Sequence, residues 1–165
     1  MVERMNGIEF HYPSLEDKEQ IRHYYRKYKG RSCENTFANV YLWAKHYESR
    51  YAVIEDTIVF KNEARGEPSF SFPVGEEDAV RRAVEFLRAY VSGQGADLRF
   101  YCVTREEFDL LESWWPGRYT IEYDRDAADY VYEREKLATL SGKKLHGKRN
   151  HINRFQQTHE NWSYE

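Results

Sequence analysis

Residues 50–63 read RYAVIEDTIVFKNE, and this stretch decides the fold class. It contains two short runs rich in β-branched residues, with Glu55 and Asp56 between them. A period of two is typical of β-strands, so the stretch predicts two antiparallel strands joined by a tight turn. A further run, PSFSFPV at residues 68–74, follows the turn-forming residues 64–67. The middle of the chain therefore predicts an antiparallel meander of three strands.

The segments around this meander follow the helical period or form single strands. EFHYP at residues 9–13 predicts a strand, and residues 14–28 and 36–47 predict two helices. After the meander, residues 75–93 predict the clearest helix, whose buried face carries Val80, Val84, Leu87 and Val91 and whose end is Gly93. Residues 96–103 predict a strand, residues 104–115 a helix capped by Thr104 and Glu107, and residues 118–124 a last strand. This order indicates an α+β fold with a mixed, mostly antiparallel sheet flanked by helices.

Composition and cysteine spacing limit the protein class. The chain has 165 residues, of which 41% are apolar and 16% aromatic, so one compact domain with an appendage is expected. Cys33 and Cys102 lie far apart, which argues against a disulfide framework and against a zinc site, and no metal is expected. No apolar run is long enough for a transmembrane segment, and the N-terminus lacks a signal-peptide core. A cytoplasmic location is therefore expected.

The basic segment GKKLHGKRNHINRF, residues 142–155, stands out in an acidic chain. From Ser141 onward there are five Lys or Arg against two acids, a charge of +3, whereas the whole chain carries −3 and the first 140 residues therefore −6. The absence of proline predicts a long helix over residues 143–160, docked by Leu145, Ile152 and Phe155. Its cations and amides indicate an anion- or substrate-binding edge formed by Lys143, Lys144, His146, Lys148, Arg149, Asn150, Asn153 and Arg154.

Other interpretations of this segment are weaker. Gly142, Gly147 and Lys148 match a phosphate-binding P-loop, but Arg149 stands where Ser or Thr should reach the magnesium ion, and the segment follows a helix-like run instead of a strand. His146 and His151 would lie about 140° apart on a helix, a poor metal pair.

Residues outside the basic segment give weaker signals. Asn35, Asn39 and Trp43 lie four apart and could line a cleft, although a buried and hydrogen-bonded polar row is an equal alternative. Cys102, in an apolar run, is expected in the core. Glu106 and Glu107 are interpreted as helix caps rather than general acids.

Three quoted blocks carry a resemblance to a known family. SCENTFANVYLWAKHY (residues 32–47), DYVYEREKLATLSGKKLHGKRNHINRF (residues 129–155) and the closing Trp162-x-Tyr164 resemble uncharacterised bacterial proteins related to the C-terminal domain of phosphatidylglycerol lysyltransferase. That family is similar to the Fem-type aminoacyl transferases and is built from two tandem GNAT (acetyltransferase-like) domains. The resemblance implies that residues 1–135 form the N-terminal GNAT-like domain. Residues 136–165 would then hold the basic helix and the start of a second GNAT-like domain that is missing from this chain.

The resemblance also implies a function. The chain would be the N-terminal half of an acyl- or aminoacyl-transferase-like protein, shaping the substrate cleft and presenting the basic helix to an anionic donor or acceptor, and it would be inactive alone. No cofactor is expected in this chain, but acyl-CoA or aminoacyl-tRNA would be the donor for the two-domain protein. The expected partners are a second GNAT-like domain or a second copy, and an anionic lipid head group or tRNA.

Some points stay open at the level of sequence. The acyl-CoA signature Q/R-x-x-G-x-G/A is incomplete, because Tyr90 precedes Gly93 and Gly95 where Gln or Arg is needed. Catalytic residues are therefore unknown. One alternative is a non-catalytic module that binds RNA or anionic lipid through the basic helix, and another is a purely structural helix that clasps an acidic surface.

Overall fold

The computed structural model describes residues 3–5, 8–28, 30, 32–63, 66–126, 128 and 130–163. The chain divides into two compact units, Met1–Tyr123 and Asp124–Glu165. The boundary at residue 135, which follows from the family resemblance, stays a prediction. Tyr164 of the Trp-x-Tyr motif lies outside the described residues.

The predicted meander forms three neighbouring strands of a four-stranded sheet in the first unit. Strands β3 (Arg50–Ile54), β4 (Thr57–Asn62) and β5 (Ser69–Ser71) are antiparallel neighbours, and β6 (Phe100–Tyr101) pairs with β5 in parallel. A separate antiparallel pair, β1 (Glu3–Met5) and β2 (Ile8–Phe10), precedes them, and His11 bridges to Tyr51 of β3. The α+β class with a mostly antiparallel sheet is therefore confirmed.

Among the described residues of the first unit, four helices pack around this sheet. They are α1 (Lys18–Tyr28), α2 (Phe37–Trp43), α3 (Glu77–Ser92) and α4 (Arg105–Trp114), and a short 3-10 turn, Cys33–Asn35, precedes α2. Gly93 ends α3 and the Thr104–Glu107 capping box begins α4, both as predicted. The second unit contains α5 (Arg134–Thr139), a 3-10 turn (Lys143–Leu145) and α6 (His146–Thr158). Within the described part of the chain, no helix is both long and apolar enough to cross a membrane.

The sheet is buried on both faces, which explains the apolar run in β4. Val59 belongs to the cluster that contains Leu87 of α3, whereas Ile58 and Phe60 belong to the cluster that contains Ile21 of α1. Because side chains alternate between the two faces of a strand, consecutive apolar residues fill two separate cores. The predicted buried face of α3 is confirmed, since Val80, Val84, Leu87 and Val91 are all buried.

Two predicted elements differ from the structure. A backbone turn ends one of them early, and the other has no neighbouring strand. The second helix ends at Trp43 instead of about residue 47, because the Ser49 N–H donates to the Ala44 carbonyl at 2.7 Å and Glu48 turns at φ 49°. Residues 118–124 form no strand, and Ile121 and Tyr123 are 66% and 77% exposed. No described strand lies beside them to accept their hydrogen bonds, and an alternating pattern alone does not make a strand.

Two more predicted elements are shorter than expected. The strand at residues 96–103 is reduced to Phe100–Tyr101, because the chain turns at Cys102 with φ 52°. Cys102 is consequently exposed rather than part of the core. The predicted long helix of the basic segment begins as a 3-10 turn and becomes α-helical at His146, ending at Thr158.

A candidate cleft at the end of the parallel strand pair

The parallel strands β5 and β6 separate after two residue pairs. Their register joins Phe70 with Phe100 and Ser71 with Tyr101. Beyond Ser71 the chain moves towards β4, where Val74 exchanges two backbone hydrogen bonds with Ile58 at 3.0 and 3.1 Å. On the other side Cys102 turns in the left-handed region, with φ 52°. The carboxyl ends of the two strands therefore diverge and leave space between them.

A side chain compensates for this separation. The Phe60 N–H of β4 donates to the Ser71 hydroxyl at 2.9 Å. A buried backbone donor needs such a partner, and the hydroxyl keeps the sheet intact where the ladder ends. The splayed strand ends are thus a stable feature of the fold.

The space holds a cavity of about 400 Å³ in the first unit. It is bounded by the end of α1, the 3-10 turn before α2, the strand ends and the start of α4, and its polar lining includes Tyr25, Glu34, Asn35, Ser71, Tyr101 and Glu106. Ligand pockets in proteins commonly measure 300–1,000 Å³. Ligands of sheets with parallel strands bind preferentially outside the carboxyl ends of those strands. The volume of this cleft lies within that range, and the cleft lies at that end of the parallel strand pair.

Two half-buried tyrosines, Tyr25 and Tyr101, line the cleft. Burial raises the pKa of Tyr25 well above its ordinary value, and the nearby Tyr101 and Glu34 raise it further. Burial and the Glu34 carboxylate likewise raise the pKa of Tyr101, against hydrogen bonds from Asn62 and Ser49. Both phenols therefore remain neutral at physiological pH and can donate as well as accept hydrogen bonds.

A glycine allows one predicted residue to enter the cleft. A Cβ atom added to Gly30 would lie 1.7 Å from Nδ2 of Asn35, so the amide packs against a bare backbone. Asn35 lies in the 3-10 turn and lines the cleft. Asn39 and Trp43 lie in α2 and are not among its lining residues, because Thr36 starts a new helix by accepting the Asn39 N–H at 3.3 Å. The structure thus brings one of the three predicted cleft residues to this site.

The predicted anion-binding residues all lie in the second unit. Lys143, Lys144, Asn153 and Arg154 are exposed, and their side chains form no ion pair with any residue that the structure describes. His146 Nε2 lies 3.3 Å from Asn150 Nδ2, and Lys148 Nζ lies 5.8 Å from the centre of the Tyr132 ring. Exposed cations of this kind are available to an anion, and the structure holds them on one short segment.

Arg149 has a different role from its neighbours. Its Nη1 donates to the Leu140 carbonyl and, at 3.0 Å, to the Gly142 carbonyl. Leu140 has a left-handed backbone at the end of α5, with φ 50°. The guanidinium thus holds the turn between α5 and α6 by satisfying carbonyls that the helix end leaves open.

The apolar stripe of the basic segment is only partly buried. Leu145 is buried, as the docked-helix prediction requires. Ile152 and Phe155 are 46% and 44% exposed. The Phe155 ring stacks on the His159 ring, with their centroids 4.5 Å apart, and its centroid lies 5.6 Å from that of the Trp162 ring. Part of the predicted stripe therefore forms a local aromatic cluster instead of a docking face.

Replacing Arg149 with methionine should loosen the second unit. Loss of the hydrogen bonds to Leu140 and Gly142 should cost about 1 kcal/mol, since bonds from a charged group contribute more than neutral ones and this site is half-buried. We expect amide exchange in α6 to accelerate roughly fivefold, as measured by hydrogen–deuterium exchange. The matched control is Arg154→Met, which removes the same charge from an exposed position of the same helix. Equal exchange rates in the two variants would contradict the clamp.

Most residues that line the cleft carry no signal in the amino-acid sequence. Tyr25, Glu34 and Tyr101 were not singled out, because they come from three separate elements and no local pattern joins them. The usable signal was weak: Tyr101 and Cys102 lie between a strand and the Thr104 cap of the next helix, a position where strand ends meet ligands. The other lining elements become neighbours only through tertiary folding.

Comparison with known proteins agrees with this fold and identifies the family. The chain is similar to a crystallised conserved protein of unknown function from Bacteroides thetaiotaomicron VPI-5482, with 34% sequence identity and a TM-score of 0.81. The likeness covers 96% of this chain but 53% of that protein, so the chain spans about half the length of its solved relative. No curated protein shows significant similarity. Residues 25–165 match the family model described as phosphatidylglycerol lysyltransferase, C-terminal, and the chain belongs to that family.

Proposed function

We propose that this chain is the GNAT-like N-terminal half of an acyl- or aminoacyl-transferase-like protein, and that the cleft between β5 and β6 holds part of its substrate. The observation that carries the proposal is the cavity of about 400 Å³ at the carboxyl ends of the parallel strands, in a chain of this family. Half-buried phenols and a carboxylate in the lining give the cleft both donors and acceptors. Such a cavity can orient a small polar group for transfer.

The remainder of the transfer site belongs to a second domain in this proposal. The solved relative is nearly twice as long as this chain, which supports a second GNAT-like domain as the partner, with a second copy of the chain as the alternative. The family description names an enzyme that acts on phosphatidylglycerol, so an anionic lipid head group is the proposed acceptor. The donor is an aminoacyl-tRNA or an acyl-CoA, and the reaction takes place on the cytoplasmic side.

The basic segment contributes positive charge in the same scheme. Lys143, Lys144 and Arg154 are exposed and unpaired among the described residues, and so they can meet a phosphate of the donor or the acceptor. Arg149 is assigned to the turn instead, because its guanidinium already binds two carbonyls. His146, Asn150 and Asn153 can add hydrogen bonds along the helix.

Nuclear magnetic resonance with two probes tests the proposal. The first probe is a stable amide analogue of the aminoacyl-adenosine end of tRNA, and the second is acetyl-CoA. We expect at least one of the two probes to shift the resonances of Tyr25, Tyr101 and Thr104 around the cleft. No shift at the cleft with either probe at millimolar concentration would refute the transferase reading. Shifts confined to residues 143–154 when whole tRNA or anionic vesicles are added would instead support the non-catalytic RNA- or lipid-binding module.

A further inference from the structure

We propose that the solvent-facing side of α1 binds the phosphate backbone of an RNA, mainly through Arg22, Arg26 and Lys27. None of these three residues lines the cleft, and all belong to the first unit, whereas the basic segment belongs to the second. The inference therefore goes beyond the proposed function, because it assigns a separate interaction surface and the class of partner that fits it.

The two sides of α1 have opposite character. Ile21 and Tyr24 are buried, and Tyr25 and Tyr28 are half-buried against the cluster that contains Phe60. A helix has 3.6 residues per turn, so these four residues share one side. The charged and basic residues of the opposite side are Lys18, Glu19, Arg22, His23, Arg26 and Lys27. The apolar and aromatic side of α1 thus faces the protein, and its solvent side is polar.

The charge of α1 is concentrated. Its 11 residues include four Lys or Arg against one acid, a charge of +3, whereas the whole chain carries −3. The 25 residues from Ser141 onward have the same charge over more than twice the length. A dense positive surface on an acidic protein is the electrostatic pattern expected of a polyanion-binding face.

The cations of α1 are available to a ligand. Lys18 and Arg26 form no ion pair with any residue that the structure describes. Arg22 Nη1 lies 3.0 Å from Glu19 Oε1, and Lys27 Nζ lies 3.4 Å from Glu76 Oε1. These two carboxylates are 74% and 68% exposed. Exposed ion pairs contribute little to stability, so a phosphate can replace either carboxylate while the helix stays folded.

A surface depression brings several of these side chains together. It has a volume of about 410 Å³, and its described lining residues are Glu19, His23, Arg26 and Lys27. A guanidinium can donate two parallel N–H bonds to a phosphate, an ammonium adds a compact charge, and an imidazole adds another donor. The Glu19 carboxylate in the same depression is paired with Arg22. The depression therefore offers three donor groups to one phosphate.

An RNA fits this surface better than a membrane does. Helices that lie on membranes insert an exposed apolar face into the lipid, whereas the apolar residue Ile21 of α1 is buried in the protein. Folded RNA presents rows of phosphates together with unstacked bases in its loops, and such bases stack on imidazole rings and guanidinium planes. His23 and Arg26 are exposed and supply one of each.

Fluorescence anisotropy with a labelled RNA hairpin that carries a single-stranded loop provides the test. We expect the protein to bind the hairpin at about 50 mM salt. The triple variant Arg22→Gln, Arg26→Gln, Lys27→Gln should bind it at least tenfold more weakly. The slope of log affinity against log salt should fall by roughly 2–3, since each lost phosphate contact removes about 0.7–0.9 from it.

A second triple variant is the matched control. Arg82→Gln, Arg99→Gln, Arg118→Gln removes three exposed cations from other elements of the first unit and should change the affinity less than twofold. Arg82 and Arg99 form exposed ion pairs with Glu55 and Glu67, as Arg22 and Lys27 do with their acids. The two variants therefore lose the same charge and similar pairs. Circular dichroism of each checks that the fold is intact.

The outcomes separate this inference from its alternatives. Equal weakening in the two triple variants would overturn it, because the net charge alone would then explain the binding. It is also wrong if the parent protein does not bind the hairpin, or if the α1 variant loses binding to phosphatidylglycerol vesicles while keeping its affinity for RNA. Cleft shifts with the aminoacyl-adenosine analogue or acetyl-CoA, together with unchanged RNA binding in the α1 variant, would overturn the inference and leave the transferase function standing. RNA binding through α1 without any shift at the cleft would do the reverse.

Discussion

Replacing Glu63 with glutamine is expected to lower the free energy of unfolding by about 2 kcal/mol. The Glu63 carboxylate forms ion pairs with two cations. Its Oε2 accepts a hydrogen bond from Nη1 of Arg50 at 2.5 Å, and its Oε1 lies 3.0 Å from Nζ of Lys61. The Lys61 side chain is only 2% exposed and lies in the sheet between the rings of Phe10 and Tyr90. Removing the anion would take from a buried ammonium the carboxylate that lies 3.0 Å from it, and breaking such a pair costs more than the pair itself contributes.

The companion variant Lys61→Met should be nearly neutral. Methionine has a similar volume and needs no partner, and Glu63 remains paired with Arg50 and is 30% exposed to water. Exchanging a buried ion for an apolar group of the same size often leaves stability unchanged or raises it. The hydroxyl of Tyr90, which accepts from Lys61 at 3.2 Å, would lose one bond, and this sets a cost of about 1 kcal/mol or less.

Urea titration and thermal unfolding measure both changes. The expected loss for Glu63→Gln corresponds to a fall of roughly 4–8 °C in Tm for a chain of this size. Both variants alter the same ion-pair network. The decisive quantity is therefore the difference between their free energies of unfolding. If Lys61→Met destabilises the protein as much as Glu63→Gln, the buried ammonium contributes through its own contacts and the explanation by the broken ion pair is wrong.

Local patterns predicted those elements that their own residues determine. The alternation in residues 50–63 predicted the β3–β4 hairpin, although its turn residues, Glu55 and Asp56, lack the Asn-Gly pair that positive φ angles favour. The apolar face and terminal glycine of α3 predicted both its extent and its burial. In each case the pattern and the tertiary environment agree, so the local prediction holds.

Elements that depend on a distant neighbour were not predictable in this way. Residues 118–124 alternate like a strand, but no described strand lies beside them, whereas the short β6 exists only because β5 offers it a parallel edge. The cleft shows the same limitation. The basic residues of 142–155 are recognisable in the sequence because they cluster along the chain. Tyr25, Glu34 and Tyr101 come together only in the folded structure. The sequence also could not reveal that Arg149 is occupied by two carbonyls.

Gly75 marks a second position where tertiary packing dictates the residue, and Gly75→Ala should cost about 2 kcal/mol. A Cβ atom at this position would lie 2.6 Å from Cγ2 of Thr57 and 3.1 Å from the Asp56 carbonyl oxygen. Thr57 cannot turn away easily, since it is fully buried and its hydroxyl donates to the Ile54 carbonyl at 2.7 Å. The added methyl group must therefore displace the tip of the β3–β4 hairpin.

Gly93→Ala is the matched control for this prediction, and it should be neutral or stabilising by about 0.5 kcal/mol. Gly93 ends α3 with φ −63°, which alanine adopts readily, and its added Cβ would meet only carbonyl oxygens at 3.5 and 3.6 Å. Both variants replace glycine with alanine and so lower the entropy of the unfolded chain alike. Comparing their free energies of unfolding by urea titration therefore isolates the packing cost at Gly75. A loss at Gly75 that is no larger than the change at Gly93 would mean that the hairpin tip yields to the methyl group. Because Val74, beside Gly75, holds the splayed end of β5 against Ile58, a loss of the expected size would show that this end of the cleft is rigidly packed.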